Sequence, residues 1–135
     1  MTSNREGGGT SPRAEPRPRV LLAEDYDALL VALRRLLAPS CDVVGSVADG
    51  LAVVDAAVRL RPDVVVLDLN LPTMNGLEAC RRIREAVPLS KIILITAADD
   101  DALRDRAFEL GASAFVLKHR VVDDLGPAIQ RAFSS

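Results

Sequence analysis

The chain has almost nothing with which to hold a soft metal or build a disulfide framework: two cysteines and one histidine. Cys41 and Cys80 stand far apart in apolar segments, outside any CxxC spacing, so two reduced, buried thiols are expected. His119 alone cannot make a histidine-based metal site. No apolar run approaches the roughly 20 residues that cross a bilayer, and the N-terminus lacks the apolar core of a signal peptide. Positive charge is not in excess. The formal net charge of -2 argues against a general nucleic-acid binder. These absences lead to the expectation of a cytoplasmic protein with no membrane span and no direct nucleic-acid contact.

What the chain does have is apolar bulk. Hydrophobic residues fill 49% of its 135 positions, which suits one domain around one core. Residues 1–18 differ. Gly7, Gly8, Gly9, Pro12, Pro16 and Pro18 resist regular structure, and the stretch reads as a flexible tail before a domain over 19–135. The glycine run is not a phosphate loop, because no Gly-Lys-Ser/Thr follows and no apolar strand precedes it.

From Arg19 onward, short apolar runs alternate with amphipathic stretches. Val20–Ala23 reads as a strand. Leu29, Leu30, Leu33, Leu36 and Leu37 recur at helical spacing, and Pro39 closes that helix. Val43–Val47 is a second strand. Leu51, Val54 and Val58 mark a second helix, stopped before Pro62. Asp63–Asp68 has no polar alternation, as in a central parallel strand buried on both faces. Asn75 caps a third helix, with Glu78 expected to reach back in a capping-box arrangement. Lys91–Ile95 is a fourth strand. Leu103, Ala107 and Leu110 mark a fourth helix, with Gly111 as its C-terminal cap. Ala114–Leu117 is a fifth strand, and Leu125, Ile129, Ala132 and Phe133 line a final helix.

Five βα units in strict succession predict an α/β fold with a parallel sheet and helices on both faces. A doubly wound five-stranded sheet of order 2-1-3-4-5 and an incomplete barrel both fit. Five units cannot close the usual eight-stranded barrel, so the doubly wound sheet is favoured. Ligands of such a sheet bind beyond the carboxyl ends of the strands, at the switch between strands 1 and 3.

Those ends carry the informative residues. Strand 1 ends in Glu24 and Asp25, strand 3 in Asp68, strand 4 in Thr96 and strand 5 in Lys118. Clustered carboxylates repel one another unless one takes up a proton or a cation intervenes. All the donors are oxygens, which favours a hard ion such as Mg2+. Asp68 then has the setting of a carboxylate nucleophile. Lys118 and the metal would offset charge on a transferring phosphoryl group, and the Thr96 hydroxyl could donate to one of its oxygens.

Val20-Leu21-Leu22-Ala23-Glu24-Asp25, Val65-Val66-Leu67-Asp68-Leu69-Asn70-Leu71-Pro72, Asn75-Gly76, Ile95-Thr96-Ala97 and Gly111 through Lys118 resemble the motifs of a bacterial two-component response-regulator receiver domain. The resemblance runs from about Arg19 to the end of the chain. It implies a flavodoxin-like fold with Asp68 as phosphoacceptor. It implies that Mg2+ is held by Asp25, Asp68 and the main-chain carbonyl of Asn70, with Glu24 acting through water. It assigns Thr96 and Lys118 to the phosphoryl group, and Thr96 with Phe115 to a conformational switch. The implied donor is a sensor histidine kinase or phosphotransfer protein. The implied output is a surface formed by helix 4, strand 5 and helix 5, read by an effector domain, a partner protein or a second copy. Such a chain is no enzyme beyond its own phosphorylation and dephosphorylation. His119 stands where many receivers have proline, which leaves the local turn trans or differently shaped.

Three rival readings fit less well. An aspartate-nucleophile phosphatase of the haloacid-dehalogenase type wants a second aspartate two residues after the first, where this chain has Asn70. A flavodoxin-like redox protein wants a Ser/Thr/Gly-rich loop where Glu24 and Asp25 stand. A receiver-like module that is never phosphorylated would not need the full set of Asp25, Asp68, Thr96 and Lys118. Ser135 follows helix 5 closely, which leaves both a stand-alone receiver and a piece of a longer regulator open.

Overall fold

The computed structural model describes residues 16–135. The elements are β1 (Arg19–Ala23), α1 (Asp27–Leu37), β2 (Asp42–Val47), α2 (Gly50–Leu60), β3 (Val64–Asp68), α3 (Gly76–Ala86), β4 (Lys91–Thr96), α4 (Asp101–Glu109), β5 (Ala114–Leu117) and α5 (Val121–Ser134). A single 3-10 turn, Lys118–Arg120, links β5 to α5. The five strands form one parallel sheet of order β2-β1-β3-β4-β5. This is the expected doubly wound order 2-1-3-4-5, and the barrel alternative does not occur.

The apolar runs explain the layering. Every residue of β3 is buried, and alternate side chains feed two cores. Val65 and Leu67 join Leu21, Ala23, Ile92 and Leu94 under α2, α3 and α4. Val64 and Val66 join Val20, Leu22, Ile93 and Ile95 under α1 and α5. Each such side chain contributes about 1.5–3 kcal/mol when removed from water, so the three central strands anchor the fold.

The helices follow their sequence signals with two corrections. α2 turns Val53, Ala56 and Ala57 inward, while Leu51 and Val58 lie exposed. This helix is apolar nearly all round, and the small alanines let its backbone approach the sheet. On α3, Asn75 Oδ1 accepts from the Glu78 N–H at 3.0 Å, but Glu78 does not reach back. Its carboxylate instead takes both Arg81 and Arg82, at 2.7 to 3.0 Å. Three bonds from two guanidinium cations outcompete one bond from an uncharged backbone N–H.

Helix ends are closed in a consistent pattern. Asp49 caps α2 and Asp100 caps α4 through their side-chain oxygens. At the far end of α4, Gly111 takes φ +101°. Its N–H bonds to Phe108 O and the Ala112 N–H to Ala107 O, which is a Schellman closure. Arg19 serves the carbonyls of Leu60 and Arg61 that end α2, and Arg84 of α3 binds the Pro88 carbonyl in the loop after its own helix. Acidic residues occupy the first turns of α1, α3, α4 and α5, and arginines the last turns of all five helices.

Of the expected tail over 1–18, the part before residue 16 lies outside the described residues. Arg17 spends its guanidinium on the carbonyls of Ala38, Pro39 and Cys41 and on Asp42 Oδ1, at 2.8 to 3.0 Å. The Asp42 N–H donates to Pro18 O.

Candidate functional site

Strand register brings the polar residues together. Ala23 pairs with Leu67, Asp68 with Ile95, and Thr96 with Leu117. The residues at and just beyond these pairs, Glu24, Asp25, Asp68, Thr96 and Lys118, therefore share the carboxyl end of the sheet beside the β1–β3 switch.

Glu24, Asp25 and Asp68 each present a carboxylate oxygen within 4.8 Å of the others. Glu24 and Asp68 are each 1% exposed, whereas Asp25 opens to solvent. Lys118 Nζ lies 2.8 Å from Asp68 Oδ2 and 3.4 Å from Glu24 Oε1. Asp68 Oδ1 accepts the Asn70 N–H at 3.0 Å, and Glu24 Oε2 accepts the Tyr26 N–H at 3.0 Å. Glu24 Oε1 is buried with no hydrogen-bond partner.

Burial pushes the Glu24 carboxyl above the usual range, and the Asp68 charge adds to that push. The Tyr26 N–H and the Lys118 ammonium offset it only in part. Burial also works against the Lys118 ammonium, but its bond to Asp68 and the charges of Asp68 and Glu24 outweigh that, and its pKa is raised. One lysine thus faces three carboxylates, and the centre is short of positive charge. An orphaned carboxylate oxygen, an all-oxygen donor set and a solvent-open carboxylate fit a hard divalent cation.

Thr96 is buried at the end of β4, where its Oγ1 accepts the Ala98 N–H at 3.1 Å. Among the described residues it makes no hydrogen bond to Asp68 or Lys118. Ala97 and Ala98 beside it are exposed. Asn70 is exposed on the loop after β3. Phe115 on β5 is partly buried and packs with Leu103 and Leu110 against the core under α3 and α4. The Lys118–His119 peptide is trans, since no cis bond occurs among the described residues, and the 3-10 turn carries the chain straight into α5.

Two participants had no signal in the sequence reading. Tyr26 supplies a backbone donor to Glu24. Thr73, on the loop after Asp68, holds φ +69° and bonds to the start of α2. A β-branched residue gives no warning of that conformation.

A doubly wound sheet with three carboxylates, a threonine and a lysine gathered at its carboxyl end is a site for a cation and an anion together. Comparison with known proteins gives that class its family. The family described as the response regulator receiver domain matches residues 20–130. The chain is 30% identical over 118 residues to response regulator GacA of Pseudomonas aeruginosa, covering 86% of this chain and 55% of that protein. It is 32% identical over 115 residues to the nitrate/nitrite response regulator protein NarL of Escherichia coli, covering 84% of this chain and 53% of the relative. A solved two-component response regulator of the LuxR family, from an Aurantimonas species, superposes with a TM-score of 0.83 at 32% identity, covering 88% of this chain and 86% of that one. The chain belongs to the response-regulator receiver domain family. It spans about half the length of the curated relatives it matches. Members of this family generally bind Mg2+ at an acidic pocket and act in signalling rather than as enzymes.

Proposed function

We propose that this chain receives a phosphoryl group on Asp68 and changes its surface in response. The observation that carries the reading is the Asp68 carboxylate, buried at the end of β3, with Lys118 at 2.8 Å and the carboxylates of Glu24 and Asp25 beside it. Asp25, Asp68, the Asn70 carbonyl and, through water, Glu24 would hold Mg2+. The bound ion would supply charge neutralisation for the phosphoryl oxygens.

The chain's own groups do the rest. The Asp68 carboxylate attacks phosphorus in line, forming an O–P bond. The bond from phosphorus to the donor nitrogen of a kinase or phosphotransfer histidine breaks, and its electron pair returns to the imidazole. Lys118 balances charge on the transferred oxygens. Thr96 exchanges its bond with Ala98 for a donated bond to a phosphoryl oxygen, and the half-buried Phe115 follows it inward. The changed surface is the one formed by α4, β5 and α5, where a cleft of about 320 Å3 lies among Phe115, Asp123, Asp124 and Arg131. An effector domain, a separate partner or a second copy would read it in the cytoplasm.

The test is intact mass after incubation with Mg2+ and acetyl phosphate. The expected result is one phosphoryl adduct, absent in Asp68→Asn and absent without Mg2+. Failure of the wild-type chain to take up either a phosphoryl group or beryllofluoride would overturn the reading and leave an interaction module that is never phosphorylated.

A further inference from the structure

The loop over residues 69–75 carries Asn70, and it is gripped from two sides. On one side, Gly76 N–H donates to Leu69 O at 2.8 Å. On the other, the start of α2 takes hold of the middle of the loop. Gly50 N–H donates to Pro72 O at 3.0 Å. Thr73 Oγ1 donates to Asp49 Oδ1 at 3.2 Å and accepts from the Leu51 N–H at 3.2 Å. The same Asp49 oxygen caps the Ala52 N–H at 2.7 Å. A Cβ at Gly50 would stand 2.2 Å from Met74 O, so the two backbones meet where only glycine fits.

The grip holds an unfavourable backbone. Thr73 takes φ +69°, a region that costs a β-branched residue on the order of 1–3 kcal/mol and persists only where the surroundings over-determine it. Thr73 is exposed, so no core packing requires it there. What its hydroxyl does is tie the loop to Asp49. Three residues earlier on the same loop, the Asn70 N–H bonds to Asp68 Oδ1. The carbonyl that the receiver reading assigns to the metal lies on the next peptide, Asn70–Leu71, between this anchor and the bonds that hold Pro72 and Thr73.

We infer that Thr73 and Asp49 are positioning residues for the metal site: their latch orients the loop that presents Asn70, at the expense of local strain. The inference rests on the receiver reading and adds to it a support outside the acidic pocket. It couples the start of α2, a helix with no residue in the pocket, to cation binding. Groups bonded directly to a metal ligand are worth about 10- to 100-fold in metal affinity, and a latch acting through the loop is expected at the low end of that range.

Thr73→Gly separates the latch from mere stability. Glycine removes the hydroxyl and the strain together, so the fold loses nothing overall. The expected result is an unfolding midpoint equal to or above wild type, with the Mg2+ dissociation constant weakened about tenfold by calorimetric titration. Amide exchange at Asn70, followed without Mg2+, should speed up. Thr73→Asn tolerates the left-handed region and keeps a donor and an acceptor, so it should restore affinity to within about twofold of wild type. Wild-type Mg2+ affinity and Asn70 exchange in Thr73→Gly would overturn the inference while leaving the receiver reading intact. A wild-type chain that binds no Mg2+ would overturn both.

Discussion

Lys118 reaches Asp68 across 50 residues of sequence and sets its ammonium 2.8 Å from Oδ2. The same ammonium is the only cation within 4 Å of Glu24 among the described residues. Under the proposed function Lys118 would have two separable roles, holding the pocket together when no metal is bound and meeting the phosphoryl group when one arrives.

Lys118→Met should separate them. Removing one partner of a buried pair is costly, but the Lys118 side chain is 26% exposed, so about 1–2 kcal/mol of stability should be lost without Mg2+. Urea unfolding measures this. Mg2+ affinity should hold or improve, because a like charge has left the site, while phosphoryl uptake from acetyl phosphate should collapse. Loss of Mg2+ binding in this variant would contradict the assignment.

Tyr26 gives a direct readout of the cation. It is the single tyrosine in a chain without tryptophan, and it follows Asp25 with its N–H on Glu24 Oε2. Mg2+ should alter its fluorescence and raise stability by about 2.7 kcal/mol at a hundred times the dissociation constant. Asp25→Ala, at an exposed position, should fold normally and lose both responses. A wild-type melting temperature indifferent to Mg2+ would count against the metal site.

Gly76 offers a test whose sign decides. Alanine is a better helix former than glycine by up to about 1 kcal/mol. Yet a Cβ at Gly76 would stand 2.6 Å from Leu69 Cα and 2.7 Å from Asp68 O, both backbone atoms. Gly76→Ala should therefore destabilise by about 1–3 kcal/mol and slow phosphoryl uptake by shifting Asp68. A stabilised variant would show that α3 does not press on the end of β3.

The α3 network sets a pH dependence. Hydrogen bonds from Arg81 and Arg82 lower the Glu78 carboxyl from 4.5 to about 2. Its folded pKa lies below its unfolded one, so its contribution is present above about 4.5 and fades as pH falls toward 2. The melting-temperature gap between wild type and Glu78→Gln should be largest near neutral pH and shrink by pH 2.5. A gap independent of pH would show that the carboxylate charge is not what Arg81 and Arg82 answer.

The strands and pocket were legible because they depend on features of single runs. Val64–Leu67 is too apolar for a half-exposed strand, and Asp68, Thr96 and Lys118 are the first polar groups after such runs. Parallel order and register then bring them together without further information. What escaped depends on competition between distant groups. Glu78 was free to cap or to pair, and only the positions of Arg81 and Arg82 decided. Leu51 and Val58 share a helical spacing with Val54, but the sheet selected the face of Val53, Ala56 and Ala57. Arg17 sits among prolines and glycines, and its carbonyl partners lie 21 or more residues away. Thr73 has the least revealing identity of all, since its backbone state is imposed by Asp49 and Gly50.

The charged helix ends described above have a consequence beyond each helix. All five helices follow parallel strands and so point the same way, which means their terminal charges add rather than cancel. Acidic residues collect at the end that holds Asp68, and the arginines at the last turns collect at the other. The molecule therefore carries a lengthwise electrostatic polarity felt beyond contact range. A cation-bearing partner is turned toward the Asp68 end before it touches, and encounter rates at that end should fall as salt shortens the Debye length.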